Sequence, residues 1–247
     1  MSVQAYLRTA AAQGRERRRA GCFEAFINPA RDGAGTNYAI PLDDCSPGAA
    51  DVAQLVAAFE SAHRLPRLEY LPATAPDAEA VLLEHGFAVE LRTPVMTCTP
   101  DTLRDAGSPA TLERLDALSS PSDVRALVHV QQRAFGEQPD PAETGLLTVP
   151  LAVLARLDGE VVGGGMGLVI ADGTTELVGV AVAEPQRRRG IAGAITAELA
   201  RMAFEAGATS AFLTPGDEGA QRVYARAGFV PTDVMLHLRA TGPAARR

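Results

Sequence analysis

Two Asp-Gly pairs, Asp158-Gly159 and Asp172-Gly173, most restrict what this chain can become. Each lies between apolar or β-branched runs, and a tight hairpin turn needs positive φ at both central residues, which Asp-Gly supplies at little steric cost. The segment therefore reads as three antiparallel strands, over about 151–157, 161–170 and 174–183. Glu184-Pro185 ends the third. From Ile191 the apolar residues Ile195, Leu199, Met202 and Ala206 recur at helical spacing until Gly207 offers a C-terminal stop. A short strand at 209–214, a helix at about 217–227 closed by Gly228, and a last strand near 233–239 follow. Upstream, Ser120-Pro121 reads as an N-cap and first-turn pair opening a helix to about Phe135. The alternation predicts a mixed α/β domain with a central, mostly antiparallel sheet flanked by helices.

Composition removes whole classes of chemistry. All 23 basic residues are arginine, so a Walker-type phosphate lysine and a Schiff-base mechanism are excluded. A formal charge of -7 gives no reason to expect attraction to nucleic acid or to an anionic membrane. Any anion site must then be local. The opening MSVQAYLRTAAAQGRERRR has charges where a signal peptide needs an apolar run, and no segment approaches the roughly 18 apolar residues of a membrane span, so a cytoplasmic setting is expected. Cys22, Cys45 and Cys98 lack CxxC spacing and are expected to be reduced, with no metal site.

The junction between the third strand and the long helix reads as that local anion site. Gln186, Arg187, Arg188 and Arg189 precede Gly190, and Ile191, Ala192 and Gly193 open the helix. A helix start presents amides and a positive dipole end, a glycine lets backbone approach a bulky anion, and small residues leave the first turn unobstructed. Gly179, inside the third strand, is a signal for a bulge or for a close backbone approach. The run 187–192 resembles the pyrophosphate motif of the GCN5-related N-acetyltransferase (GNAT) superfamily: Gln or Arg, two residues, Gly, one residue, Gly or Ala. Ala220-Gln221-Arg222-Val223-Tyr224-Ala225-Arg226-Ala227-Gly228-Phe229 resembles that family's late helix, which ends in tyrosine, glycine and phenylalanine.

The likeness covers 110–240 and implies the GNAT acyl-CoA N-acyltransferase fold and transfer of an acetyl group from acetyl-CoA to a small-molecule or peptide amine by direct attack. It implies that Val180, Ala181 and Val182 pair with the pantetheine arm through their backbone. The segment from Arg187 to Gly193 would hold the pyrophosphate, Tyr224 would be the general acid and Glu176 the base. Asp217 stands where many members place an asparagine toward the cofactor. A catalytically silent acyl-CoA-binding or regulatory module and a transferase of longer acyl groups are the alternatives. The acceptor and the oligomeric state are left open.

Other features carry less. His129 and His237 are possible bases but read as packed histidines. The carboxylates of 136–143 could receive a cationic amine or belong to an ordinary solvated loop. Gly163 to Gly167 lack GxGxxG spacing and read as a plastic strand. Shifting the chain by 142 residues sets Tyr38-Ala39-Ile40 on Val180-Ala181-Val182, Gly48 on Gly190, and Gly86-Phe87 on Gly228-Phe229. This reads as a tandem pair of GNAT-like halves in which the first copy is degenerate. Cys45, Ser46 and Pro47 face the arginines, and Leu82 faces Tyr224. With a linker at 100–110, the expected domains are 1–105 (degenerate copy), 106–240 (catalytic) and 241–247 (flexible tail).

Overall fold

A computed structural model describes residues 3–31, 34–142 and 144–241. Glu143 and all of the expected tail except Thr241 lie outside the described residues. The chain divides into two units, Val95–Thr232 and Ser2–Pro94 with Asp233–Arg247. The divisions therefore fall inside strands. Residues 233–240 group with the N-terminal unit, whereas the sequence reading placed them with the catalytic domain.

In the C-terminal unit, β6 (Thr111–Leu115), α4 (Pro121–Ala134), β7 (Leu151–Leu157), β8 (Glu160–Gly167), β9 (Thr174–Val182), α5 (Ile191–Glu205), β10 (Ser210–Leu213) and α6 (Glu218–Arg226) follow in order. Both hairpin turns form as their residues dictate, with positive φ at Asp158, Gly159, Asp172 and Gly173. The Ser120 side chain accepts from the Asp123 amide at 3.2 Å, with Pro121 in the first turn. Strands β6, β7, β8 and β9 pair antiparallel, and β10 joins β9 in parallel. β6 had no signal in the sequence reading, and β8 stops three residues short of the expected 170.

Gly163 to Gly167 lie in a strand, as expected, and the glycines of β8 are packing positions. A Cβ at Gly164 would collide with Leu127 of α4, and one at Gly165 would lie 2.9 Å from Leu199 of α5. Successive strand residues point to opposite faces, so the absent side chains let one helix close on each face. The main core cluster joins Val153, Val162, Val182, Ile195, Leu199 and Phe229, and a second gathers Leu115, Val124, Leu127, Ala152 and Leu154.

The N-terminal unit holds α1 (Val3–Ala11), β1 (Glu16–Ala20), β2 (Phe23–Ile27), β3 (Tyr38–Pro41), α2 (Ala49–Glu60), β4 (Arg67–Tyr70) and α3 (Ala78–Glu84). β1, β2 and β3 pair antiparallel, and β4 lies parallel to β3. The elements follow one another as α4, β7, β8, β9, α5, β10 and α6 do. In each unit the strand beside the last of these comes from elsewhere in the sequence. β11 (Val230–Ala240) pairs antiparallel with β4, and the end of β5 (Phe87–Cys98) pairs antiparallel with β10.

The expectation of three reduced cysteines fails for two. Cys22 and Cys45 form a disulfide across a Cα–Cα distance of 5.8 Å. The antiparallel pairing of Phe23 with Pro41 draws their flanking turns together, a consequence of strand register that spacing along the chain does not display. Cys98 is free and buried, and burial raises its thiol pKa.

Candidate active site

A parallel strand pair that separates part-way creates a cleft in the C-terminal unit. β10 pairs with β9 only from Thr174 to Glu176, whereas β9 continues to Val182. From Leu177 onward, that edge of β9 lines a cavity of about 1240 Å³ instead of meeting β10. Thr214 and Gly216, just beyond β10, line it as well. The β8–β9 register passes from Gly164↔Ala181 to Met166↔Val178, so Gly179 and Val180 together oppose Gly165. This is the bulge that Gly179 signalled, and its φ is +63°. Val180, Ala181 and Val182 all line the cavity.

At the end of β9 the chain turns into α5 through two left-handed residues, Arg188 at φ 63° and Gly190 at φ 83°. Positive φ at a non-glycine residue is uncommon and tends to collect at functional loops. No side chain caps α5, and its first turn has no acidic residue. Ile191, Ala192 and Gly193 line the cavity, so the helix start faces it. The three arginines behave differently. Arg187 lines the cavity, but its Nε donates to the Val182 carbonyl at 3.1 Å and its Nη2 to the Ala134 carbonyl at 3.4 Å. Arg189 donates to the Gln186 side chain and is not among the lining residues. Arg188 is exposed, lines the cavity and has no side-chain partner among the described residues. Gly190 is required for a further reason: a Cβ there would lie 2.5 Å from the Gly107 carbonyl oxygen, so the linker passes directly over it.

Tyr224 on α6 and Glu176 at the fork line the same cavity. Tyr224 is 8% exposed and packs tilted against Phe229, with ring centroids 6.4 Å apart. Its hydroxyl makes no hydrogen bond among the described residues. Burial, and secondly the Asp217 carboxylate, push its pKa up to about 12, so the phenol keeps its proton at neutral pH. Asp217 caps α6, its Oδ1 accepting from the Ala220 amide at 2.7 Å, and it too lines the cavity. Glu176 is half-buried.

Three weaker candidates lie off the cleft. His129 makes a 3.2 Å ring-nitrogen contact with the Asp140 carbonyl, tying α4 to the loop that follows it. His237 belongs to the N-terminal unit, 3.7 Å from Glu69. Asp140 of the 136–143 segment accepts from the Ala142 amide, so its carboxylate is engaged within the loop. Sequence reasoning missed Gln131, which is buried on α4 and donates to the Gly179 carbonyl at 2.7 Å. Its only signal was a polar residue within the apolar stripe of α4.

Residues 122–229 match the model of the acetyltransferase (GNAT) family. No curated protein matches the chain. Among solved structures it is similar to a GCN5-related N-acetyltransferase from Kribbella flavida, 27% identical over 97% of this chain and 95% of that one, with a TM-score of 0.82. It is also similar to a GCN5-related N-acetyltransferase from Sphaerobacter thermophilus, 21% identical over 88% and 76%, TM-score 0.64. A third is described as a tandem GNAT protein from the clavulanic acid biosynthesis pathway, 13% identical over 88% and 78%, TM-score 0.61. The fold of the chain is the α/β GNAT fold, and the residues that match the GNAT family model include most of those lining the cleft.

Proposed function

We propose that the C-terminal unit is an acetyl-CoA-dependent N-acetyltransferase acting by direct attack of an amine on the thioester. The observation that carries this reading is the fork at Glu176, where an unpaired β9 edge leads to an uncapped helix start and Arg188. A strand edge takes an extended ligand as an additional strand, which suits a pantetheine arm, and the turn into α5 suits a pyrophosphate. In this reading the backbone of Val180 to Val182 binds the arm. Arg188 and the amides from Gly190 to Gly193 hold the phosphates, with Arg187 and Arg189 shaping the turn. Glu176 takes a proton from the attacking ammonium. The amine nitrogen bonds to the acyl carbon, the C–S bond breaks, Tyr224 gives its proton to the departing thiolate, and the surplus proton on the new amide nitrogen restores the phenol. A cationic small-molecule or peptide amine is the acceptor that an acidic chain favours.

The N-terminal unit is, in the same reading, a degenerate copy. Its element order supports this, and so does the likeness to a protein described as a tandem GNAT. The Cys22–Cys45 disulfide weighs against the cytoplasmic setting expected from the sequence, because a reducing compartment keeps thiols reduced. Titration calorimetry with acetyl-CoA should give one site per chain, and an amine screen for release of the CoA thiol should find turnover. Glu176→Gln should lose most activity near neutral pH and less at high pH, where more amine is already unprotonated. Absence of any acetyl-CoA binding would overturn the proposal, and a stoichiometry of two would overturn the degenerate copy.

A further inference from the structure

Gln131 is the polar member of the buried stripe that α4 presents with Val124, Leu127 and Val130, and it is only 8% exposed. Burying an amide among apolar residues is unfavourable unless it is hydrogen-bonded. Its Nε2 donates to the Gly179 carbonyl at 2.7 Å, at the bulge where Gly179 and Val180 oppose one residue of β8. A bulge takes its extra residue out of the ladder, so that carbonyl needs another partner. The fit is close: a Cβ at Gly179 would lie 2.5 Å from Gln131 Nε2. Because the peptide between Gly179 and Val180 is planar and trans, fixing the carbonyl toward α4 fixes the Val180 N–H in the opposite direction. Val180 lines the cavity.

We propose that Gln131 is a positioning residue which, by holding the Gly179 carbonyl, aims the Val180 N–H at the acyl carbonyl of the thioester. This rests on the acetyl-transfer reading. Without the amide donor the bulge peptide is free to rotate, and polarisation of the carbonyl in the transition state weakens while the rest of the cofactor site is untouched.

Two variants and one wild-type measurement test it. Gln131→Met keeps size and removes the donor; kcat should fall about 10- to 100-fold, with the amine KM and the affinity for free CoA unchanged. Gln131→Glu donates only when protonated, so its kcat relative to wild type should rise as pH falls, while that of Gln131→Met should not. A role in packing alone would alter CoA and acetyl-CoA binding alike and give no such rescue. Should the variants fold poorly, the Val180 amide resonance of the wild type should shift more with acetyl-CoA than with CoA. Wild-type kcat in Gln131→Met, or equal Val180 shifts with both ligands, would overturn the proposal. A wild type that turns over no amine would instead overturn the transferase reading.

Discussion

Gly48 opens α2 after β3 and Gly190 opens α5 after β9, and the two helix starts are chemically opposite. At α2 the Asp51 carboxylate folds back, accepting from the Gly48 amide at 2.8 Å and the Cys22 amide at 3.1 Å, beside the Cys22–Cys45 disulfide. At α5 no side chain caps the helix, and an exposed arginine takes the place of Ser46. A helix start whose donors already face their own carboxylate has little left for an external anion, and the carboxylate repels one. One backbone plan thus serves two ends, and a few side chains decide which leaves its donors open to an anion.

The largest effect should come from the proposed acid. Tyr224→Phe keeps the ring against Phe229 and should lower kcat roughly 10²- to 10⁴-fold with acetyl-CoA affinity preserved, as steady-state kinetics and calorimetry will report. Normal turnover would make Tyr224 a packing residue, like Leu82 at the matched position. Next, Arg188→Glu should weaken acetyl-CoA about 100-fold, on the order of 3 kcal/mol, in a salt-dependent way. Arg189→Glu should cost only a few-fold because Arg189 is turned to Gln186, and Ser46→Glu should cost nothing. Equal losses at all three positions would erase the contrast between the helix starts.

A third effect belongs to the N-terminal unit. Asp51→Ala removes the acceptor at Gly48 and Cys22 and should cost roughly 1–2 kcal/mol in chemical denaturation while leaving the kcat of folded protein intact. Gain of an acetyl-CoA site in the N-terminal unit of that variant would mean that only the carboxylate had closed the α2 helix start. The smallest effect lies at alkaline pH. Burial raises the phenols of Tyr70 in one unit and Tyr224 in the other above the unperturbed value of 10.0, Tyr224 to about 12. The folded chain then holds these protons more tightly than the unfolded chain. The stability they contribute is complete below about pH 10 and is lost as pH rises through the folded values. Denaturation midpoints compared at about pH 9 and pH 11 should fall less in Tyr224→Phe than in wild type.

Much of the C-terminal unit was legible because its signals are local. Asp-Gly turns, the Ser120 cap, the apolar period of α5 and the bulge glycine each act within a few residues, and each element formed near its expected place. The site was legible only in outline. Three consecutive arginines look alike in sequence. Their separation into one without a side-chain partner among the described residues and two that brace the turn depends on Val182, Ala134 and Gln186. Gln131 passed unnoticed because its partner is a carbonyl 48 residues away.

The sequence by itself determined the hairpins, the strand-to-helix turn, the chemistry of that turn and the exclusion of lysine-based mechanisms, since these follow from side-chain type and short-range backbone preference. Only the tertiary structure decided which strands are neighbours. It brought β11 beside β4 and β5 beside β10, joined Cys22 to Cys45, and parted β9 from β10 at Glu176 to open the cleft. The physical reason is that pairing and register are set by how whole faces bury against one another, a long-range sum that no single stretch of residues contains.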